Sequence, residues 1–278
     1  MWKSMATALA GLALLAAGPA PKAAHTSAPT AWRTLDPENT LVIETSKGRI
    51  VVELRPDLAP LGVARIKLLA REGVYDNLLF HRVIDGFVDQ TGNPNNRDGG
   101  ASQHKDLPPE FTFRLPPDAA TVVVQRSDGQ EGFVGAVPIA GVSRAEQARA
   151  GGDGRLRAWG AYCAGVMGMG RQADPGSANS EIFFMRGPAR RLDHEYTVVG
   201  RVVLGLDVVR AMAVGEPPAS PDRMQRVSVA ADLPADAWRG AEVADERSAG
   251  FRARAAALAR AEGAAFSVCD VEIPARLR

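Results

Sequence analysis

The stretch Phe80-His-Arg-Val-Ile-Asp-Gly-Phe-Val-Asp-Gln-Thr-Gly92 decides the fold and the chemistry of this 278-residue chain. In an extended strand, alternate side chains share a face, so the pattern predicts that Phe80 and Arg82 point one way and His81 the other. Because His81 then faces away from the arginine, it is interpreted as a hydrogen-bonded structural residue rather than as a base.

The second half of the stretch returns further side chains to the same surface. Gly86 permits a sharp bend, after which Phe87 and Gln90 come back beside Arg82. A guanidinium, an apolar ring and an amide around one shallow depression are suited to a neutral, partly apolar group with a carbonyl. This combination of a guanidinium, a ring and an amide does not include a nucleophile.

The elements around this stretch are mostly short strands. Two β-branched runs between Leu41 and Leu54 are broken by Ser46-Lys-Gly48, which predicts a hairpin, and 62–72 has the apolar spacing of a helix. Many short strands, few helices and Gly/Pro-rich joints are typical of a closed antiparallel barrel. Further strands are predicted at 79–84, 120–125, 182–185, 197–203 and 227–230.

The chain divides into segments of different composition. Residues 1–24 are interpreted as a signal peptide, 25–38 as a flexible lead-in, and 39–232 as the main domain. Within that domain, about 114–160 is too long for an ordinary connection and is interpreted as an insertion. The Ala- and Arg-rich remainder, 233–278, is interpreted as an extension whose helix docks weakly on the main body.

The signal peptide prediction rests on Met-Trp-Lys, an apolar run at 8–17 and the small residues that follow. This run is too short to span a bilayer, and no cysteine stands directly after it to carry a lipid anchor. We therefore expect export to the periplasm with no integral membrane segment after signal removal. A disordered Ala-rich leader is the alternative.

Composition and charge narrow the classes of partner. The chain is 46% hydrophobic and 23% charged, which is typical of globular proteins and unlike disordered or coiled-coil chains. Lys plus Arg (33) nearly balance Asp plus Glu (32), so no strong field attracts nucleic acid. No metal site is predicted, because the histidines and cysteines lack ligand spacing, and the pairing of the cysteines stays open. These residues are His25, His81, His104, His194, Cys163 and Cys269.

Several blocks in the same order are similar to one known family. The stretch at 80–92 resembles the signature of the cyclophilins, the barrel-forming peptidyl-prolyl cis-trans isomerases, and the chain resembles their bacterial, exported members. Blocks that agree with it are 165–169, 177–184, 192–193, 196–203 and 205–209. Their number and order make coincidence improbable.

The resemblance implies a mainly β fold: a closed antiparallel eight-stranded barrel with two flanking helices, here with an inserted excursion and a C-terminal helical extension. It also implies catalysed rotation about X–Pro bonds in folding exported proteins, without a cofactor. That rotation meets a barrier of about 18–20 kcal/mol because the amide loses its conjugation. Arg82 matches the family's catalytic arginine, which would donate to the nitrogen of the twisted amide.

The resemblance also assigns the residues that bind a proline-containing polypeptide. Phe87, Val88, Phe183 and Leu192 match the proline pocket, and Gln90 matches the amide that holds the preceding residue. Other positions at the groove are Gly170, Arg171, Glu181 and Tyr196.

Two substitutions depart from the family pattern and keep other functions open. Glu181 replaces a usual Gln, and Arg191 stands where an aromatic is frequent, so tight cyclosporin binding is not expected. Because Arg82 and Phe87 are intact, catalysis with altered peptide preference is the leading prediction. The alternatives are a weakly active or inactive proline-peptide-binding chaperone module and, with less support, a structural envelope protein.

Overall fold

The computed structural model describes residues 30–116, 118–150 and 153–278, so the predicted signal peptide at 1–24 lies outside the described residues. Within them the protein is mainly β, with four α-helices: α1 (Pro60–Arg71), α2 (Arg144–Arg149), α3 (Leu206–Arg210) and α4 (Ala249–Glu262). The strands are β1 (Trp32–Thr34), β2 (Thr40–Thr45), β3 (Gly48–Leu54), β4 (Arg82–Ile84), β5 (Val88–Thr91), β6 (Phe113–Leu115), β7 (Thr121–Gln125), β8 (Gln130–Val134), β9 (Val137–Gly141), β10 (Leu156–Gly160), β11 (Val166–Met169), β12 (Ile182–Met185), β13 (Val198–Leu204), β14 (Met224–Val229), β15 (Ala241–Ala244) and β16 (Ala275–Leu277). No helix among the described residues is long and apolar enough to cross a membrane.

An eight-stranded antiparallel sheet carries the main core, in the order β14-β2-β3-β13-β11-β12-β5-β4. The predicted hairpin is confirmed as β2 and β3, and Gly48 has a φ of 134°, a conformation that favours glycine. The sheet curls so that the segments before its two edge strands approach each other. There, Phe80 N donates to Asp222 O at 2.9 Å and Met224 N to Leu78 O at 2.9 Å.

Helix α1 packs on this sheet and confirms the predicted helix. Pro60 occupies its first turn, and the carboxylate of Glu110 accepts hydrogen bonds from the amides of Leu61 and Gly62. These two contacts satisfy amides that a helix N-terminus leaves without partners. Val63 and Ile66 are fully buried in the main core, which explains the apolar spacing seen in the sequence.

The predicted insertion forms a sheet of its own. Its five strands lie in the order β6-β10-β9-β8-β7, and the short helix α2 lies between β9 and β10. The buried face of this sheet joins a second core, to which Phe133 and Phe183 both contribute. The inserted region therefore packs against the same cluster that supports one side of the candidate site.

A third sheet, β1-β15-β16, corrects the prediction that 25–38 is a flexible lead-in. Trp32–Thr34 pairs with Ala244 to Glu242 of the extension, and Arg33 bonds to both Glu53 and Glu246. These partners are distant in sequence, so the local Ala/Ser/Thr/Pro composition carried no sign of them. Residues 25–29 lie outside the described residues.

The C-terminal extension is attached more firmly than predicted. The expected helix is present as α4, but Phe251 is 2% exposed and packs edge-to-face on Phe133 with ring centroids 5.5 Å apart. Cys269 forms a disulfide with Cys163, just before β11, which resolves the pairing that the sequence left open. The prediction that this helix docks weakly was therefore wrong, because Phe251 on the helix fills part of the second core.

Candidate active site

A depression of about 310 Å³ opens at one end of the eight-stranded sheet, and all ten predicted site residues line it. Asp98, which the sequence analysis did not select, lines it as well. The predicted residues are Arg82, Phe87, Val88, Gln90, Gly170, Arg171, Glu181, Phe183, Leu192 and Tyr196.

Strand register explains how separate sequence blocks meet here. Arg82 on β4 pairs with Gln90 on β5, and Gln90 pairs in turn with Phe183 on β12. Three neighbouring positions on three adjacent strands thus supply a guanidinium, an amide and an aromatic ring.

Arg82 lies at the polar side of the depression and is held at two points. Its Nη1 donates to Gln90 Oε1 at 3.0 Å, and its Nε donates to Glu216 Oε2 at 2.7 Å. The side chain is 33% exposed, and Nη2 has no acceptor among the described residues. One donor of a fixed guanidinium is therefore available to a ligand.

The apolar side is built around Phe183, which is 5% exposed. Its ring stacks on Tyr162 with centroids 5.8 Å apart and meets Tyr196 edge-to-face at 5.6 Å. Aromatic pairs in these geometries are favourable and hold the ring in one orientation. With Phe87 and Leu192, this ring makes an apolar recess beside the guanidinium.

Two further arginines cover aromatic rings at the rim. The guanidinium of Arg191 lies 4.3 Å from the ring centroid of Phe87, and that of Arg171 lies 4.7 Å from that of Tyr196. Arg171 is also fastened, because its Nε donates to the backbone oxygen of Glu195 at 2.9 Å. The rim of the recess therefore carries two guanidinium groups, and that of Arg171 is also paired with the carboxylate of Glu195 at 3.3 Å.

Glu181 lies buried behind the polar side. Its two carboxylate oxygens accept hydrogen bonds from the side-chain amides of Gln90 and Asn93. Burial raises the pKa of Glu181 to about 7, although both amides favour the charged form. Gly170 packs directly on this carboxylate, and a Cβ there would collide with it. The carboxylate orients Gln90, which in turn orients Arg82.

The predicted hydrogen bonding of His81 is wrong, and so is the shared face predicted for Phe80 and Arg82. Phe80 is fully buried in the main core, whereas Arg82 lines the depression, because strand β4 begins only at Arg82 and regular alternation does not reach back to Phe80. His81 is 6% exposed, and neither ring nitrogen has a hydrogen-bond partner among residues 30–116, 118–150 and 153–278. Its Nε2 lies 3.7 Å from Glu181 Oε2, and burial lowers the pKa of its imidazole.

Two residues of the site were missed by sequence reasoning. Asp98 follows the signature stretch closely and adjoins Gly99-Gly100, so a loop beside the site was a detectable signal. Glu216, the partner of Arg82, lies 134 residues away from it. No local pattern around Glu216 indicates this contact.

Comparison with known proteins agrees with this geometry. The profile of the family described as "Cyclophilin type peptidyl-prolyl cis-trans isomerase/CLD" matches residues 40–229. A probable peptidyl-prolyl cis-trans isomerase of Brucella suis is 34% identical over 213 residues, covering 71% of this chain and 85% of that protein. A peptidyl-prolyl cis-trans isomerase of Schizosaccharomyces pombe is 30% identical over 173 residues, covering 62% and 83%.

Among solved structures, a cyclophilin from Hirschia baltica superposes with a TM-score of 0.79 at 33% sequence identity. The match covers 88% of this chain and 93% of that one, so it includes more than the region matched by the family profile. With most of its length matched in sequence and in structure, the chain belongs to the cyclophilin-type peptidyl-prolyl cis-trans isomerase family.

Proposed function

We propose that this isomerase acts on X–Pro bonds of folding exported proteins through Arg82, with no covalent intermediate. The observation that carries the proposal is a guanidinium held by Gln90 and Glu216 beside an apolar recess, with its Nη2 not bonded to any described residue. The recess receives the proline ring, and Gln90 holds the residue before it.

The chemistry follows from the electronic structure of the amide. When an X–Pro bond rotates out of plane, the conjugation is lost and the proline nitrogen regains a lone pair. Arg82 donates a hydrogen bond to that lone pair, which neither planar isomer offers. An interaction made only in the twisted state lowers the barrier without tightening the binding of the substrate.

Substitution of Arg82 by alanine tests this role. In exchange NMR on a peptide containing Ala-Pro, Arg82→Ala should lower kcat/KM by about 10²–10³-fold, as expected for loss of one donor aimed at a transition state. Arg226→Ala is the matched control, since Arg226 is exposed on β14 of the same sheet. Full activity of Arg82→Ala contradicts the mechanism, whereas peptide binding by the wild-type protein without accelerated exchange supports a chaperone module instead.

We also propose that the eight-stranded sheet forms a closed barrel. Support comes from the two backbone hydrogen bonds between the segments that precede β4 and β14, and from the bridge between Leu79 and Arg223. Slow amide exchange at Phe80 and Met224, comparable to that of central strands, would agree with closure. Exchange there as fast as in an open edge strand would contradict it.

Export is proposed on two grounds: the apolar run at 8–17 and the disulfide between Cys163 and Cys269. Disulfides persist in oxidising compartments such as the periplasm and are rare in the cytosol. Residues 1–24 are then removed, and 39–232 forms the isomerase domain with 233–278 as its extension. Cell fractionation with sequencing of the mature N-terminus tests this, and an uncleaved chain in the cytosolic fraction contradicts it.

A further inference from the structure

His81 presents a problem that the isomerase mechanism does not explain. It is 6% exposed, yet neither Nδ1 nor Nε2 has a hydrogen-bond partner in the part of the chain that the structure describes. The amide oxygen of Asn93, which is 1% exposed, is also without a partner among these residues. Burying polar atoms without partners costs free energy, so such atoms call for a function or a ligand.

We propose that His81, Asp98 and Glu181 form a binding site for a divalent first-row transition metal ion, and that Zn²⁺ is the ion they suit best. One ligand atom from each of the three residues lies within 4.8 Å of the others. The three come from different segments, which is why the scattered histidines of the sequence did not predict a site.

The distances suit a shared ion. Zinc binds imidazole nitrogen and carboxylate oxygen at about 2.0–2.2 Å in a tetrahedron, which places two such ligands about 3.4 Å apart. His81 Nε2 and Glu181 Oε2 are already 3.7 Å apart. Asp98 is exposed and is followed by Gly99-Gly100, so a small movement of its side chain completes the triad.

The donor set selects the class of ion. One imidazole with two carboxylates suits a borderline cation such as Zn²⁺, whereas Ca²⁺ and Mg²⁺ prefer oxygen ligands alone. Three protein ligands leave a fourth position for water. The unpartnered amide oxygen of Asn93, whose Nδ2 already bonds to Glu181, is suited to bind that water.

The negative charge of the two carboxylates and their access to solvent also favour a bound divalent ion. Arg82 and Arg97 line the same cavity as His81 and Asp98, but among the described residues neither forms an ion pair with a carboxylate of the triad, and Arg82 donates to Gln90 and Glu216 instead. A divalent ion therefore balances two carboxylates. Asp98 lines both the active-site depression and an adjoining cavity of about 480 Å³ that His81 also lines, so an ion can enter from solvent.

The ion would lie beside the isomerase site without taking part in the reaction. Glu181 Oε1 bonds to Gln90, while Oε2 accepts from Asn93 Nδ2 and faces His81, so coordination through Oε2 leaves the link to Gln90 and Arg82 intact. This inference is independent of the proposed mechanism. Metal binding is measured without peptide, and its failure would leave the result for Arg82→Ala unchanged.

The test is a titration of the full chain, purified without a histidine tag and treated with chelator, with Zn²⁺ alone. Calorimetry should show one strong site of micromolar or tighter affinity. Asp98→Asn and Glu181→Gln should each weaken it at least about tenfold, in line with the loss of a metal ligand or its support. Asp128→Asn, the same change at an exposed position in the inserted sheet, should leave the affinity unchanged.

Zinc could instead bind at a different histidine–carboxylate pair on the surface, because His104 Nε2 lies 2.8 Å from Glu72 Oε2. If His104→Gln abolishes zinc binding while Asp98→Asn keeps it, the proposal is overturned. The same holds if the wild-type chain binds no Zn²⁺ at micromolar concentration. Thermal unfolding without metal verifies that each variant is folded, and Asp98→Asn, on an exposed loop, should match the wild type.

Discussion

The active-site depression and the C-terminal extension both join residues that are far apart in the chain, but they do so by different means. In the site, Arg82, Gln90 and Phe183 meet through the regular register of adjacent strands. The extension is held by a disulfide and a helix buried in the second core, together with pairing to β1. We infer that the depression serves catalysis and the extension serves stability. Substitutions in the depression should therefore lower kcat/KM, and substitutions in the extension should lower the free energy of unfolding.

The largest expected effect is on stability and comes from the disulfide. Cys163 and Cys269 are 106 residues apart, and cross-linking a loop of that length stabilises a fold by about 4 kcal/mol through the unfolded chain. The double variant Cys163→Ala/Cys269→Ala should lose about that much free energy of unfolding in a urea titration. Its kcat/KM should stay within about twofold of the wild type, since neither cysteine lines the depression.

Reduction of the wild-type protein provides the control for this variant. Dithiothreitol should lower the stability of the wild type to that of the double variant and leave the double variant unchanged. If the double variant instead loses much more than twofold in kcat/KM, the extension also shapes the active site. The separation between a region for chemistry and a region for stability would then be wrong.

The next effect is on catalysis and concerns the shape of the guanidinium. Arg82→Lys keeps the charge but loses the planar fork that contacts Gln90 and Glu216 together, so we expect kcat/KM to fall by about tenfold with stability unchanged. Exchange NMR on the Ala-Pro peptide measures it. Arg226→Lys, on the exposed face of β14, is the matched control. Wild-type activity in Arg82→Lys would mean that charge alone is enough.

The two regions also differ in how far they could be predicted from sequence. Three of the ten site residues, Arg82, Phe87 and Gln90, could be selected from the contiguous stretch between Phe80 and Gly92, and the other seven were implied by the resemblance to the cyclophilins. Strand register explains why the two blocks meet in one depression. The β2–β3 hairpin and α1 could also be predicted, because their turn glycine and apolar spacing are local signals.

Contacts between distant surface segments had no such signal. The pairing of Trp32–Thr34 with β15 and the ion pair between Arg82 and Glu216 both depend on where remote loops come to lie. The shared face predicted for Phe80 and Arg82 was wrong for a related reason, since alternation was applied to residues that precede the strand. Local periodicity predicts elements, but it does not predict which loop covers them.

The smallest expected effect is that of Glu216→Gln, which tests whether Glu216 positions Arg82 or only forms a weak surface ion pair with it. Glu216→Gln removes the charge but keeps the shape and an acceptor oxygen. Both partners are well exposed, at 33% and 54% of their side chains, and such pairs are worth only about 0–1 kcal/mol. We expect kcat/KM to rise by about twofold at low salt, because a guanidinium without a neighbouring carboxylate stabilises the lone pair on nitrogen more strongly. The gain should shrink as ionic strength rises.

Glu44→Gln removes the same charge from an ion pair of similar exposure on the β2–β3 hairpin, Arg49–Glu44, and should leave kcat/KM unchanged at every salt concentration. If Glu216→Gln instead lowers kcat/KM more than about tenfold, Glu216 holds Arg82 in its working geometry, since a screened surface pair cannot supply so large an effect. The site would then depend on a remote loop as much as the extension does. Strand register would no longer be enough to explain how the guanidinium is placed.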